Sequence, residues 1–476
     1  MQIEPGQELI LEVLKPTLGG DGLARHEGMA VFVPGVVPGQ RVLARVASVK
    51  ARHAKAELLE VVEQSAEHVP PGCPHFGVCG GCDWLHMEYG RQLHWKRELV
   101  RETLRHIGGV DAVVAPTIAS PVTRGYRNKM EFAFSPQAVM PKRTDDSSKN
   151  TFAVSTGPAI GMRPRNMANL TTPIRTCLLC PQEMVDVQDI VGRWAANSGL
   201  DAYDPNTGKG FWRHLVLRRG DDPNYLMACL ITSHDPRGED MGPRLAEHFV
   251  SHAPQVKTVV HEVRRGRSLV AQGERVISVT GPDELLYELG GMTLAISSRS
   301  FFQTNTHSAD RLYEVVRDFA GLSGRETLWD LYSGVGALAL YLARGASEVL
   351  GFEMEPAAVR NAEANAARNA RSLPRTRCRF LAGDVARTIP RAISDNLTKK
   401  PDVIVADPPR AGMQPAIIAR LLEIGAPKLI LVSCNPATLA RDVKSLSSLY
   451  VSGRIQPVDM FPHTSHIECV AELSSR

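Results

Sequence analysis

The sequence predicts a protein of mixed helices and strands, of class α/β, with a β-barrel first, a mixed central domain next and a Rossmann-like domain last. Its 476 residues suit about three domains. Short apolar runs separated by glycine and proline turns fill residues 1–62, whereas strand-like and helix-like segments alternate within residues 291–476. A hydrophobic fraction of 43% and a charged fraction of 22% are typical of globular proteins, so a packed core is expected.

Composition also restricts where the protein acts. No stretch approaches the ~18 apolar residues of a membrane-spanning helix, and the N-terminus lacks the features of a signal peptide. We therefore expect a cytoplasmic protein without a membrane partner. We also expect it to be a monomer. Its nine cysteines are then not expected to form disulfides. The net charge of +4 is too small to establish a nucleic-acid partner, but residues 41–55 carry five basic residues and no acidic one.

The first 62 residues have the pattern of a small β-barrel. Residues 9–13, 30–33, 41–49 and 56–62 are strand-like, and such short strands with one basic segment fit an oligonucleotide-binding barrel. The segments Gly-Gly-Asp-Gly-Leu-Ala and Val-Pro-Gly-Val-Val-Pro-Gly-Gln resemble the TRAM domain of RNA-modifying enzymes. The resemblance implies an RNA-binding barrel, and the alternative is a barrel without RNA contacts.

A dense cysteine segment opens the central domain, predicted over residues 63–290. Cys73, Cys79 and Cys82 lie within ten residues, and the intervening glycines let the backbone wrap around one centre. A fourth ligand must come from elsewhere, and Cys177 and Cys180 are the candidates. All-sulfur ligation suits zinc or an iron–sulfur cluster, and the three-plus-one arrangement favours a four-iron cluster. If the metal is zinc, two histidines are further possible ligands: His75 and His86.

The rest of the central domain is less regular. Residues 85–110 predict a helix that ends at Gly108-Gly109, and we expect this region, 85–115, to pack on the C-terminal domain. Short strands and one helix near residues 181–197 follow. Residues 142–150 are polar and serine-rich, which predicts a mobile loop. Residues 124–132 interleave cations with aromatics, which suits either RNA stacking or an exposed strand edge.

The C-terminal domain, residues 291–476, predicts a doubly wound α/β sheet. Helices at 337–343, 356–370 and 415–424 separate the strands. Ligands of such sheets bind at the carboxyl ends of the strands, where the acidic residues of this domain fall. The predicted strands are 327–331, 348–352, 377–381, 403–406 and 429–432.

One motif in this domain has two interpretations. Gly334-Val-Gly-Ala-Leu-Ala339 satisfies the dinucleotide pattern, so a nicotinamide or flavin enzyme must be considered. However, Asp330 would repel a pyrophosphate and attract the cationic groups of S-adenosylmethionine. Glu353 is then a candidate for the ribose hydroxyls and Asp384 for the adenine edge. A methyl donor fits these carboxylates better.

Two further strand ends carry candidate catalytic residues. Cys434 follows a buried strand, and Asn435 and Pro436 are favoured at a helix start, so the thiol should lie at a helix N-terminus. The helix dipole would lower its pKa and favour the nucleophilic thiolate; the alternative is a small buried side chain. Asp407 precedes two prolines that fix its position. Glu468, at the start of a final strand, is a candidate base.

Five of these motifs, taken together, resemble the RNA 5-methyluridine methyltransferases. With the TRAM-like start and the cysteine cluster, nearly the whole chain resembles the iron–sulfur branch of that family, which is typified by an enzyme of 23S ribosomal RNA. Ser333 stands where many members have cysteine. The motifs are Phe302-Gln303-Thr-Asn305, Asp330-Leu-Tyr-Ser-Gly-Val-Gly, Asp407-Pro-Pro-Arg410, Ser433-Cys434-Asn-Pro and His466-Ile-Glu468.

The resemblance implies specific roles and a specific activity. The activity would be methyl transfer from S-adenosylmethionine to carbon 5 of an RNA uridine, with 23S ribosomal RNA favoured and tRNA as the alternative. Cys434 would be the nucleophile and Glu468 the base. The methyl donor would contact Gln303, Tyr332, Glu353 and Asp407, and a four-iron cluster would be bound by Cys73, Cys79, Cys82 and Cys177.

The chemistry explains why a thiol and a carboxylate are needed together. Carbon 5 of uracil becomes nucleophilic only after a thiolate adds to carbon 6, and the carbon 5 proton must then leave before the thiolate can. The target base must also leave its stack to be reached. An adenine or cytosine methyltransferase would not need Cys434 and Glu468 together, and a non-catalytic RNA-binding protein would need neither.

Overall fold

The computed structural model describes residues 3–141 and 152–476. Residues 142–150, predicted to form a mobile loop, lie outside the described residues. The described chain forms a closed barrel, a six-stranded sheet, a two-stranded hairpin and a seven-stranded sheet. No helix of this described part is long and apolar enough to cross a membrane.

The N-terminal barrel closes in the strand order β1-β2-β3-β5-β4. Its interior is small and apolar, with alternate residues of β4 such as Val42, Ala44 and Val46 pointing inward. β2 lies outside the predicted segments because its Gly22 resembles a turn residue. A side chain there would come within 2.3 Å of Val36, so glycine is required by close packing. The strands are β1 (Glu8–Pro16), β2 (Gly22–His26), β3 (Met29–Val33), β4 (Arg41–Lys50) and β5 (His53–Glu63).

Helix α1 (Tyr89–Thr103) connects the cysteine segment to the C-terminal domain. The Glu88 side chain accepts hydrogen bonds from the backbone N–H groups of Gly90 and Arg91 and so caps its start. Leu99, Val100 and Leu104 are buried in the same core as the C-terminal sheet. A π-helical turn, Leu104–Gly108, then ends the helix at Gly109, which has a φ of 64°.

The central sheet has the order β11-β10-β9-β8-β6-β7. Its helices are α2 (Gln182–Ala196) and α3 (Met241–His252). The prediction of a single helix was wrong here, because the Met-Gly-Pro start of α3 resembles a turn. The strands are β6 (Lys129–Pro141), β7 (Phe152–Gly161), β8 (Trp212–Arg219), β9 (Leu226–Thr232), β10 (Val256–Val263) and β11 (Arg275–Thr280).

A hairpin joins the central sheet to the C-terminal domain. It consists of β12 (Leu285–Leu289) and β13 (Met292–Ile296), and Gly290 and Gly291 turn between them with positive φ angles. Its apolar side chains share a core with the C-terminal domain. The predicted boundary between residues 290 and 291 therefore falls inside one hairpin.

The C-terminal sheet has the order β16-β15-β14-β17-β18-β20-β19, with β20 antiparallel to β18. Its strands are β14 (Thr327–Leu331), β15 (Glu348–Glu353), β16 (Arg377–Ala382), β17 (Val403–Ala406), β18 (Lys428–Ser433), β19 (Tyr450–Val458) and β20 (Glu468–Ser475). The helices are α4 (Thr306–Ala320), α5 (Ala337–Ala343), α6 (Pro356–Arg368), α7 (Val385–Ser394), α8 (Pro415–Ile424) and α9 (Pro436–Leu446). From β14 the sheet extends to β15 and β16 on one side and to β17 and β18 on the other. The boundary between β14 and β17 is therefore the topological switch point of the sheet, where ligands of such sheets bind.

Candidate active site

A pocket lies at this switch point, where β14 and β17 end. Gln303, Tyr332 and Asp407, three of the predicted donor contacts, line it. Asp330 and the start of the glycine turn at Gly334 complete the wall. The sequence prediction therefore identified residues from three separated motifs that the fold brings to one pocket.

Asp330 shows what kind of ligand this pocket can accept. Its side chain is 1% exposed, and neither carboxylate oxygen makes a hydrogen bond of ordinary geometry with any described residue. Burial and the nearby Asp407 raise its pKa well above the ordinary value, and the backbone N–H of Ala339 offsets this only in part. A buried carboxylate without a positively charged partner is unfavourable, so a cationic ligand would stabilise it. The amino and sulfonium groups of S-adenosylmethionine meet this requirement.

Tyr332 and Glu353 shape the adjoining turn. Tyr332 has a φ of 69°, and its backbone N–H donates to the carbonyl oxygen of Phe352 at 2.9 Å. The Glu353 carboxylate accepts from the backbone N–H of Gly334 at 2.9 Å through Oε2 and from that of Glu355 at 2.9 Å through Oε1. Glu353 thus braces the glycine turn, and each oxygen keeps a lone pair for a ligand hydroxyl.

Asp384 lies farther along the same edge. It follows β16 and caps α7, because its Oδ1 accepts from the backbone N–H of Arg387 at 3.2 Å. Burial, and then the charges of Asp442 and Asp384, raise the pKa of Tyr332, so Asp384 lies within electrostatic range of the turn. Asp384 does not line the pocket around Asp330. The predicted adenine contact would therefore extend the donor site beyond this pocket, along the strand ends.

The nucleophile and base candidates come together at the next strand ends. Ser433 pairs with Cys469 across β18 and β20, so Cys434 and Glu468 are neighbours at the end of this ladder. Asn435 caps α9 by accepting from the backbone N–H of Ala437 at 3.0 Å, and Pro436 is the first helical residue. The predicted helix start is confirmed.

The predicted effect of that helix start on the thiol is wrong. The pKa of Cys434 is raised to about 11, first by burial and then by the negative charge of Glu468. The positive charge of Arg410 lowers the pKa but does not compensate. Desolvation of the thiolate is therefore the largest influence on this pKa.

Three buried carboxylates at or near these neighbouring strand ends have raised pKa values, so they stay protonated to higher pH than exposed carboxylates do. Glu468 is 4% exposed, and burial and the charge of Asp407 raise its pKa well above the ordinary value. Burial raises the pKa of Asp407 to about 6. Together with Asp330, these groups form an acidic site that a bound cation would return to the ionised state.

Sequence reasoning missed two contributors to this site. Arg410 was quoted only as part of a motif, yet its Nη2 lies 3.4 Å from Nδ1 of His466 and its charge opposes the raised pKa values of Cys434 and Glu468. Phe301 is 70% exposed and lines the donor pocket. The position of Arg410 directly after two prolines could have indicated that its side chain is fixed at the site. Nothing in the sequence predicts that Phe301 is exposed.

The four predicted cluster ligands line a separate pocket. Its wall includes Cys73, Cys79, Cys82 and Cys177 among mostly apolar side chains. Cys180 lies in the core of the central domain, 3% exposed, and does not line the pocket. Among the described residues, no three His, Cys, Asp or Glu side chains are close enough to hold a single metal ion.

Electrostatics at this pocket also involve one arginine. Burial raises the pKa of Cys79 to about 12 and that of Cys82 still further, whereas a hydrogen bond from Cys180 lowers the pKa of Cys177. Arg127 lines the same pocket and favours the thiolate form of these cysteines. Because metal ligation requires thiolates, a nearby guanidinium would assist it.

The two segments with possible RNA contacts, residues 41–55 and 124–132, differ in which side chains are exposed. On the barrel, Arg41 and Arg45 pair with Glu63 and Glu8, whereas Lys50 and Arg52 are exposed at the β4–β5 turn and have no acidic partner among the described residues. In the segment 124–132 the aromatic side chains Tyr126 and Phe132 are buried. They therefore cannot stack on RNA bases, and the stacking interpretation of this segment is wrong. The alternative of an exposed strand edge is wrong too, because β6 pairs with β7 on one side and with β8 on the other.

Comparison with known proteins gives the family. The family model described as tRNA (Uracil-5-)-methyltransferase matches residues 288–476, and the TRAM domain model matches residues 2–59. An uncharacterised RNA methyltransferase of Nitratidesulfovibrio vulgaris is 39% identical over 98% of this chain and 96% of its own length. The chain belongs to the RNA (uracil-5-)-methyltransferases.

Further relatives of this RNA methyltransferase cover nearly its whole length. An uncharacterised RNA methyltransferase of Chlorobaculum tepidum is 36% identical over 94% of this chain and 91% of its own. The crystal structure of Pyrococcus abyssi tRNA (uracil-54, C5)-methyltransferase, in complex with S-adenosyl-L-homocysteine, matches with a TM-score of 0.73 and 27% identity. That match covers 97% of this chain and 99% of the other. The chain is thus an enzyme of the S-adenosylmethionine-dependent methyltransferases with an N-terminal TRAM domain.

Proposed function

We propose that this enzyme methylates carbon 5 of a uridine in RNA through a covalent adduct with Cys434, and that Glu468 removes the carbon 5 proton. The observation that carries the proposal is the pairing of β18 with β20, which sets Glu468 beside Cys434 next to the acidic donor pocket. Neither an adenine methyltransferase nor an RNA-binding protein needs this pair.

The residues act in order. Cys434 loses its proton to solvent and adds to carbon 6 of uracil, which makes carbon 5 nucleophilic. Bound S-adenosylmethionine supplies the methyl group from its sulfonium. Glu468 then takes the proton from carbon 5, and the electron pair left behind expels the Cys434 thiolate from carbon 6. Because the thiol has a pKa of about 11 in the ligand-free site, the positive charge of the donor also favours the thiolate.

We propose 23S ribosomal RNA as the substrate and tRNA as the alternative. The resemblance of the cysteine segment and motif series to the iron–sulfur branch favours ribosomal RNA. The similarity to the Pyrococcus abyssi enzyme named for uracil-54 of tRNA favours the alternative. Mass spectrometry of bulk tRNA and ribosomal RNA from a deletion strain tests both, because the missing 5-methyluridine identifies the substrate. We further propose that the protein is a cytoplasmic monomer, as expected in the sequence analysis.

We also propose that Cys73, Cys79, Cys82 and Cys177 bind a four-iron cluster. Their common pocket and the adjacent Arg127 support this. Its role would be structural, because methyl transfer changes no oxidation state. The cluster, when bound, would tie the cysteine segment to residues 176–179 of the central domain.

Iron analysis tests the cluster. Protein purified without oxygen should be brown and contain about four irons per chain. Cys177→Ser should lose the iron, whereas Cys180→Ser should retain it, because only Cys177 lines the pocket. Stoichiometric zinc in place of iron would contradict the cluster, and iron loss in Cys180→Ser alone would reassign the fourth ligand.

Salt-dependent binding tests the barrel. The double variant Lys50→Gln with Arg52→Gln should weaken RNA binding and reduce its dependence on salt concentration, because each lost phosphate contact lowers the salt slope by about 0.7–0.9. Arg193→Gln, on an exposed ion pair of α2, is a matched control for loss of one cation. Unchanged affinity and slope in the double variant would favour a barrel without RNA contacts.

A further inference from the structure

The segment that leads to Glu468 is held by residues from the other end of the chain. Residues 459–466, here called the base strap, connect β19 to β20. Glu468 follows two residues later. Hydrogen bonds join the strap to the cysteine segment and to α1, although these regions lie more than 360 positions earlier in the sequence. The first half of the strap is also bound by Ile118, Tyr126, Asn305 and Ser308.

The cysteine segment holds the strap through the two residues that follow Cys82. The backbone N–H of Trp84 donates to the carbonyl oxygen of His463 at 3.1 Å. Oδ2 of Asp83 accepts from the Ser465 hydroxyl at 2.8 Å and from the Ser465 backbone N–H at 3.3 Å. The side chain of Asp83 therefore fixes the strap three residues before Glu468.

Helix α1 fixes the start of the strap. Nζ of Lys96 lies 2.6 Å from Oδ1 of Asp459, and both side chains are fully buried. The hydroxyl of Tyr89 donates to Oδ2 of the same carboxylate at 2.8 Å. Oε1 of Gln92 accepts from the backbone N–H of His463 at 2.9 Å. A buried ion pair with satisfied oxygens has one favourable geometry, so this end of the strap cannot shift independently of α1.

The strap is also conformationally strained at its centre. His463 has a φ of 67°, a left-handed conformation that a residue with a side chain rarely adopts unless its surroundings impose it. Gln92 and Trp84 bind the N–H and carbonyl groups of this residue. These two contacts therefore hold the centre of the strap in this left-handed conformation.

We propose that Asp83 is a positioning residue for Glu468: through Ser465 it holds the base strap, and thereby sets the carboxylate where it reaches the carbon 5 proton. The proposal rests on the proposed function of Cys434 and Glu468. The cysteine segment would then help to position the base that removes the carbon 5 proton, and this role involves no change of oxidation state. Addition of Cys434 and transfer of the methyl group do not need Glu468 in this position, so only the step after methylation depends on Asp83.

The test compares two RNAs on one set of variants. With RNA that carries 5-fluorouridine, wild-type enzyme should form an adduct that survives denaturation, because fluorine cannot leave as a proton. With ordinary uridine, wild-type enzyme should turn over with little adduct. Asp83→Ala should form the fluorinated adduct at a rate within about threefold of wild type, yet turn over uridine about 10- to 100-fold more slowly and accumulate its adduct. Ser465→Ala should show the same pattern with a smaller effect, and Arg193→Gln should match wild type.

The outcomes separate positioning from general damage. Asp83→Asn keeps one acceptor oxygen and should recover most of the turnover lost in Asp83→Ala. Equal slowing of fluorinated adduct formation and of turnover in Asp83→Ala and Ser465→Ala would overturn the proposal, because it would indicate a general structural role. Wild-type turnover in both variants would overturn it too. A wild-type enzyme that forms no fluorinated adduct would instead refute the covalent mechanism on which the proposal depends.

Hydrogen exchange supplies a readout that is independent of catalysis. Amides within residues 459–466 should exchange faster in Asp83→Ala than in wild type, while amides of β14 and β17 beside the donor pocket should not change. Unchanged exchange in the base strap would overturn the proposal whatever the turnover rates show.

Discussion

Replacing Glu468 by glutamine is expected to leave the RNA covalently attached to Cys434. Glutamine keeps the shape of the side chain but cannot take the carbon 5 proton, so the methylated adduct has no route to products. Turnover should fall by about 10²–10⁴, the usual contribution of a general base. Denaturing gel electrophoresis after incubation with RNA and S-adenosylmethionine should show a band of protein linked to RNA.

Cys434→Ala is the matched control for that experiment. It should abolish turnover and give no linked band with either uridine or 5-fluorouridine RNA, because no thiolate adds to carbon 6. Binding of S-adenosylmethionine should survive, since the donor pocket is built from other motifs. Methylation by Cys434→Ala at the wild-type rate would refute the mechanism. An adduct absent only from Glu468→Gln would indicate that Glu468 acts before the thiol adds.

The arrangement of the C-terminal domain was predictable because its strands are short buried runs with clear ends. The strand Thr327–Leu331 and the helices Ala337–Ala343 and Pro415–Ile424 were predicted residue for residue. Helix α7 was missed because Pro390 interrupts its pattern. What the sequence could not show is the antiparallel pairing of β20 with β18, since strand order is a property of the whole sheet.

The properties of individual side chains were harder to predict than their positions. The sequence correctly indicated a helix start after Cys434, but the raised pKa of that thiol depends on burial and on Glu468, which is 34 positions away in the sequence. Likewise, sequence spacing does not distinguish Cys177 from Cys180 as a possible fourth ligand. Only the fold shows that Cys180 is buried in the core of the central domain and does not line the pocket. Burial and long-range neighbours decide both cases.

The second large expected effect is a coupling between donor binding and protons. Burial raises the pKa of Asp330, Asp407 and Glu468 above their values in an unfolded chain. For acids shifted in this direction, the stabilising contribution is complete below the unfolded pKa and is lost as pH rises through the folded pKa. On this account the free energy of unfolding should fall as the pH rises above about 4, the ordinary pKa of a carboxylic acid, and the Asp407 contribution should be fully lost once the pH exceeds its folded-state pKa of about 6.

A bound cation should reverse this trend, because it favours the ionised carboxylates. We expect the increase in melting temperature caused by S-adenosylmethionine to be larger at about pH 7.5 than at about pH 5.5, and donor binding to release protons.

Asp330→Asn should weaken donor binding by about 30-fold or more, since losing one partner of a buried charge pair costs about 2–5 kcal/mol. Asp407→Asn should flatten the pH dependence near 6, whereas the control Glu314→Gln, on an exposed ion pair of α4, should leave it unchanged. Thermal unfolding and titration calorimetry at both pH values measure these effects, and a larger donor-induced shift at the lower pH would contradict the assignment of the carboxylates to the donor site.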